Sequence, residues 1–200
     1  MINQPETINS KDTVWLDDGK TYKKNSDTPF TGIEESFHEN GQIEARTNYK
    51  NGLEHGLFES FYENGQLMRK GSCKNGKEDG LFESFYENGQ LSRKASYKNG
   101  LVHGLSESYY KNGQIWFRRN RKNGKEHGLW EMFNKNGQLW MRGNYKNGLE
   151  HGLWEMFYEN GQLMRRGNCN NGRLDGLCED FDEEGNLTKT ETYEEGELIE

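Results

Sequence analysis

A chain of 200 residues with only 30% hydrophobic content, 25 glycines and two prolines lies well below the apolar fraction of an ordinary domain, which excludes a large central core. The formal net charge of −7 argues against nucleic acid and against anionic membrane as partners, because both reward a basic surface. Three cysteines with no C-x-x-C point to a reducing compartment without a disulfide framework, and the lack of a secretory or bilayer-length apolar run leads to the expectation of a cytoplasmic protein.

Residues 1–31 read as a leader and a degenerate capping hairpin, with Val14-Trp15-Leu16 as a strand, Asp18-Gly19 as its turn, and a frayed segment ahead of them. From residue 32 the chain repeats with a period of 24 residues. Asn-Gly recurs at Asn40-Gly41, Asn64-Gly65, Asn88-Gly89, Asn112-Gly113, Asn136-Gly137 and Asn160-Gly161. A second Asn-Gly series runs from Asn51-Gly52 to Asn171-Gly172, and a third series of single glycines from Gly32 to Gly176. Repeats 1 to 6 occupy 32–176, and an acidic capping repeat, 177–200, carries Glu184-Gly185 and Glu195-Gly196 in place of Asn-Gly. Charge on such a terminal strand opposes end-to-end pairing.

Asn-Gly between short alternating runs is a hairpin signal, since a type I′ turn needs positive φ at both central residues. A two-residue turn at Asn64-Gly65 places Glu59 opposite Lys70 and Phe58 opposite Gly71. The same rule pairs Glu35 with Arg46, Glu83 with Lys94, Glu107 with Arg118, Glu131 with Arg142 and Glu155 with Arg166, whereas Glu179 meets Thr190. It also sets aromatics against small residues, as in Phe82/Ala95, Trp130/Gly143 and Trp154/Gly167, and the exchange is matched where Arg119 meets Ser106. Alternation then gives one face Leu57, Glu59, Phe61, Met68 and Lys70, and the other Phe58, Ser60, Tyr62, Leu67, Arg69 and Cys73. The expected fold is all-β: an elongated, single-layer antiparallel β-hairpin repeat array, a solenoid-like meander of about seven 24-residue units.

The pattern G-L-x-E-x-F-Y-x-N-G-Q-L followed by Y-K-N-G-x-x-H-G, as in Gly56 to Leu67 and Tyr145 to Gly152, resembles the MORN (membrane occupation and recognition nexus) repeat. It is most similar to the bacterial variant, whose first repeat opens as Thr28-Pro29-Phe30-Thr31-Gly32 does here. The resemblance implies an elongated antiparallel sheet and a scaffolding or partner-binding role. It also implies a toxin as one class of protein partner, since many bacterial relatives are catalogued as antitoxins, with membrane or lipid association as the alternative.

No chemistry competes with that reading. The column His55, His103, His127 and His151 spaces its side chains by about 10 Å, two strand separations, which is too far for one zinc ion. The Glu column faces Lys or Arg, which holds carboxylates ionised and disfavours a general acid. Cys73, Cys169 and Cys178 occupy positions held elsewhere by aromatics and read as packing residues. No enzyme, cofactor or metal is expected. One stretch breaks the pattern: Ile115 to Lys122 concentrates positive charge, and units 4 to 6 hold four of the five tryptophans. Trp116, Phe117, Arg119, Arg121, Trp130, Trp140 and Trp154 are therefore the candidate contacts for a protein partner of unknown identity with an acidic surface. Trp116 and Trp140 are expected on one face, Trp130 and Trp154 on the other. The oligomeric state and the binding face stay open at this stage.

Overall fold

The computed structural model describes residues 4–200. Contacts divide the chain into two halves, up to Leu101 and Val102–Glu200. Units are numbered here from their first glycine, unit 1 at Gly32 and unit 7 at Gly176. In the N-terminal half, Gly32–Phe37, Ile43–Lys50, Leu53–Phe61, Leu67–Lys74, Gly80–Phe85 and Leu91–Lys98 pair antiparallel in succession. The C-terminal half repeats the arrangement from Leu101–Tyr109 through Ile115–Lys122 to Leu187–Glu194. Both are open sheets of hairpins. Among the described residues no helix is long and apolar enough to cross a membrane.

The expected N-terminal hairpin is present as Thr13–Trp15 against Thr21–Lys23, a separate two-stranded sheet. The Thr21 N–H donates to the Gly52 carbonyl at 2.8 Å, and the Gly52 N–H to the Phe30 carbonyl at 2.7 Å, which fastens it to unit 1. The leader is not frayed over its described part: Thr7–Asn9 pairs in parallel with unit 1, Thr7 opposite Ile33 and Asn9 opposite Glu35. This pairing covers a backbone edge that would otherwise be free to recruit another strand.

Within the hairpins the expected register holds, with Phe58 opposite Gly71, Glu59 opposite Lys70 and Ser106 opposite Arg119. The tip differs from the expectation. Positive φ at both residues occurs in the second Asn-Gly series, with Asn51 at 52° and Gly52 at 76°, so the type I′ turns join one unit to the next. At Asn64-Gly65 only the glycine is left-handed, at 80°, and the Gly65 N–H donates to the Tyr62 carbonyl at 2.8 Å. This is a type I turn closed by a glycine bulge. The glycine bulge sets Phe61 opposite Leu67, so Leu67 joins the Glu59 face, and a further bulge with Met68 as the extra residue restores the expected register from Ser60 opposite Arg69 onward. A second irregularity lies between hairpins: Tyr49 faces Glu54 but Thr47 faces Phe58, and Gly56, at φ 103°, absorbs the offset.

That offset decides the packing. The aromatic over a strand glycine comes from the following unit, not from the same hairpin. A Cβ built on Gly71 would lie 2.3 Å from the Phe82 ring, and one on Gly143 would lie 2.1 Å from the Trp154 indole. Gly167 is covered in the same way by Cys178. Phe82 and Ala95, 4% and 2% exposed, belong with Cys73, Cys169 and Cys178 to a thin core on this one face. Burial, reinforced by Glu54, pushes the Cys73 thiol up to about 12, and burial with Glu150 pushes Cys169 up to about 11. Reagents that attack thiolates are therefore expected to label neither Cys73 nor Cys169 rapidly at pH 8, and both after unfolding in urea. Rapid labelling of Cys73 in the folded chain would contradict this packing.

Candidate partner-binding surface

On the Glu59 face Arg46 and Arg118 each stand between two carboxylates. Arg46 binds Glu35 at 2.8 Å and Glu59 at 3.7 Å, and Arg118 binds Glu107 at 3.1 Å and Glu131 at 3.3 Å. Elsewhere the closer bond reaches into the next hairpin, as in Lys70 to Glu83 at 3.0 Å, Arg142 to Glu155 at 2.5 Å and Arg166 to Glu179 at 2.5 Å. The column therefore ties hairpins together as well as stabilising each one. Arg142 and Arg166 also lie over Phe157 and Phe181, each at 5.6 Å from the ring centre. The Arg166 guanidinium holds the Glu179 carboxyl below its usual range.

The unit tips are stitched by a second set of side chains. His38, Tyr62, Tyr110 and Tyr158 reach the carbonyls of Phe61, Phe85, Phe133 and Phe181 at 2.9, 2.7, 3.0 and 2.8 Å. The amides of Asn40, Asn112 and Asn160 donate to the next unit's backbone at 2.8, 2.7 and 2.9 Å. At the opposite ends of the hairpins His55 Nδ1 lies 3.3 Å from the Asn75 side chain, whereas among the described residues the buried Nδ1 atoms of His103, His127 and His151 have no hydrogen-bond partner. Among the described residues no group of three or more His, Cys, Asp or Glu side chains is placed to hold a metal ion.

The seven candidate contacts divide between two surroundings. Trp130 and Trp154 lie 5.7 Å apart, and Tyr145 packs edge-on against Trp154 at 5.4 Å. Arg119 and Arg121 both bind Glu126, at 3.0 and 2.9 Å, and Arg119 lies over Phe117 at 4.8 Å. These residues are occupied by one another. Trp116 and Trp140 stand at the bulge positions of units 4 and 5, 43% and 39% exposed. Trp116 is braced by Phe117 at 4.9 Å.

Trp140 also lines a groove of about 660 Å³ at the tips of the C-terminal half, together with Met132, Phe133, Leu139, Phe157 and Met164. Tyr110 and Tyr158 flank it, and Glu159 and Glu183 add carboxylates. The cause is visible in the chain. Position 134 is Asn where units 2, 3, 4 and 6 have Tyr62, Tyr86, Tyr110 and Tyr158. The Asn134 side chain turns back into its own loop, accepting from the N–H groups of Gln138 at 3.0 Å and Asn136 at 3.3 Å. Unit 5 thus lacks the ring that fills the tip elsewhere. The sequence reading chose Trp140 but missed the groove, although the break in the tyrosine column was there to be seen.

Seven matches to the MORN repeat variant cover residues 30–51, 54–75, 78–99, 102–123, 126–147, 150–171 and 174–195, most of the chain and in phase with the hairpins. The chain belongs to the MORN repeat variant family. No curated protein matches it. MORN repeats are generally associated with protein or membrane binding, and the family is typically non-catalytic. Each MORN match begins two residues before a unit glycine, as at 54 for Gly56, and ends at the type I′ turn that leads to the next.

Proposed function

We propose that this chain is a non-catalytic protein–protein interaction scaffold whose contact surface lies on units 4 to 6. The observation that carries the proposal is the exposure of Trp116 and Trp140, 43% and 39%, at equivalent positions, with Trp140 lining an apolar groove. Large exposed aromatics of this kind supply the dominant contacts when a partner removes them from water. The glutamate column is engaged in ion pairs between strands, a structural use of these carboxylates. A toxin neutralised by the chain is the partner class that fits the family resemblance. Net charge of −7 favours a protein over an anionic bilayer.

The test is quantitative affinity capture from the native cell with the full chain and its Trp116→Ala/Trp140→Ala variant. One specific protein is expected to be captured by the wild type and reduced roughly thirtyfold by the double substitution, as for a hot spot of about 2 kcal/mol. Equal capture by both chains would contradict the assignment of this surface. Flotation with phosphatidylserine vesicles, in the absence of any captured protein, would replace the proposal with membrane association.

A further inference from the structure

The groove at the unit 5 tip has a shape and a polar group that the rest of the chain explains. In units 2, 4 and 6 a tyrosine ring occupies the step to the next hairpin, and its hydroxyl donates to the following phenylalanine carbonyl, Tyr62 to Phe85, Tyr110 to Phe133 and Tyr158 to Phe181, at 2.7, 3.0 and 2.8 Å. The corresponding acceptor for unit 5 is the Phe157 carbonyl, and Asn134 has no ring or hydroxyl to offer it. Phe157 and Asn134 both line the groove. Its remaining wall is more apolar than the counterpart in unit 3. Met132 stands where units 2, 3 and 4 have Ser60, Ser84 and Ser108, and Trp140 stands where unit 3 has Ser92. Glu159 and Glu183 give the site negative charge.

We propose that this groove is a socket for a tyrosine side chain carried on a basic segment of a partner protein, an inference that rests on the scaffold reading and specifies its partner. The incoming ring takes the place of the tyrosine that unit 5 lacks, stacking between Trp140 and Met164 and donating its hydroxyl to the Phe157 carbonyl. Lysine or arginine on either side of it meets Glu159 and Glu183. The groove volume of about 660 Å³ is in the range that accommodates a short segment and not just one ring.

The probes are capped tripeptides, Lys-Tyr-Lys, Lys-Phe-Lys and Lys-Ala-Lys, followed by saturation-transfer NMR against the full chain and its Asn134→Tyr variant. The tyrosine peptide is expected to bind the wild type with a dissociation constant on the order of 1 mM, the size allowed for so small a ligand. Loss of the hydroxyl bond in the phenylalanine peptide should weaken binding roughly threefold to tenfold. Asn134→Tyr fills the socket from within and should weaken the tyrosine peptide by at least about tenfold, as a blocked site requires, with unchanged circular dichroism. Asn134→Phe supplies the same ring without the hydroxyl and is used if the first variant does not fold. Undiminished binding by a folded, ring-filled variant would overturn the socket, as would equal binding of the alanine peptide. The same variants are then used in cellular capture. Loss of the partner together with the peptide supports the inference. Partner capture that persists while peptide binding is lost overturns the socket as the partner site and leaves the scaffold standing, whereas absence of any captured protein from the wild type removes the scaffold reading itself.

Discussion

Replacing Phe82 with alanine is expected to destabilise the chain by about 4 kcal/mol, in the upper part of the range for an aromatic removed from a core. The ring is 4% exposed and has no substitute in so thin a sheet. It covers Gly71 on the preceding strand, meets Tyr97 edge-on at 5.2 Å, and supports the Arg69 guanidinium 4.6 Å above its centre. Its removal exposes backbone on a strand that has no side chain of its own at that point, and it frees the Arg69 end of the 2.5 Å pair with Glu78. Urea titration followed by circular dichroism reads the effect. Because each hairpin touches only its neighbours, the loss should appear first as an early phase from the N-terminal half. A loss below about 1 kcal/mol would place Phe82 outside the core, since such values belong to surface substitutions.

Gly143→Val is the second large effect, and it works through overpacking. The new Cβ would stand 2.1 Å from one indole carbon of Trp154 and 2.2 Å from another. Trp154 cannot simply retreat, because Trp130 and Tyr145 hold it at 5.7 and 5.4 Å. A cost of about 3 kcal/mol is expected, the upper end for a side chain forced into a filled site. Gly148→Val offers a useful contrast in the same half. Its Cβ meets nothing within 4 Å, but its φ of 91° is left-handed, so any cost there is backbone strain alone.

Much of this was legible before any coordinates. The pairing of Glu59 with Lys70 and of Phe58 with Gly71 was legible from the turn dipeptide and a period of two, although the loop is one residue longer than expected and the bulge at Met68 restores the register beyond the tip. The turn type was not legible from the dipeptide. Asn64 and Asn51 both precede glycine, yet only Asn51 is left-handed, and at Asn64 the loop is closed instead by the Gly65 N–H donating to the Tyr62 carbonyl. Contacts between hairpins were hidden for a related reason. Hairpin arithmetic says which residues face each other within one unit, but the slide between units 2 and 3 is set by the irregularity at Gly80, where Cys73 faces Glu78 and Lys70 faces Glu83, and it is this slide that brings Phe82 over Gly71.

The surface was only partly legible as well. Composition singled out the tryptophans and arginines of units 4 to 6, but it could not separate Trp154, which packs on Gly143, from Trp140, which is open. Nor could it show that Glu126 binds both Arg119 and Arg121. The groove arises from a residue that is missing, the tyrosine replaced by Asn134, and a search for notable side chains passes over such a position.

The claim on which both the fold and the groove depend is that each unit is held by side chains of the next. A double-mutant cycle tests it most directly, with the stability of Gly143→Val measured by urea titration in the wild-type chain and in a Trp154→Ala background. The valine is expected to cost about 3 kcal/mol beside the indole and under about 1 kcal/mol without it, a coupling typical of residues in direct contact. Equal costs in the two backgrounds would contradict it, because Trp154 would then not lie over the preceding strand.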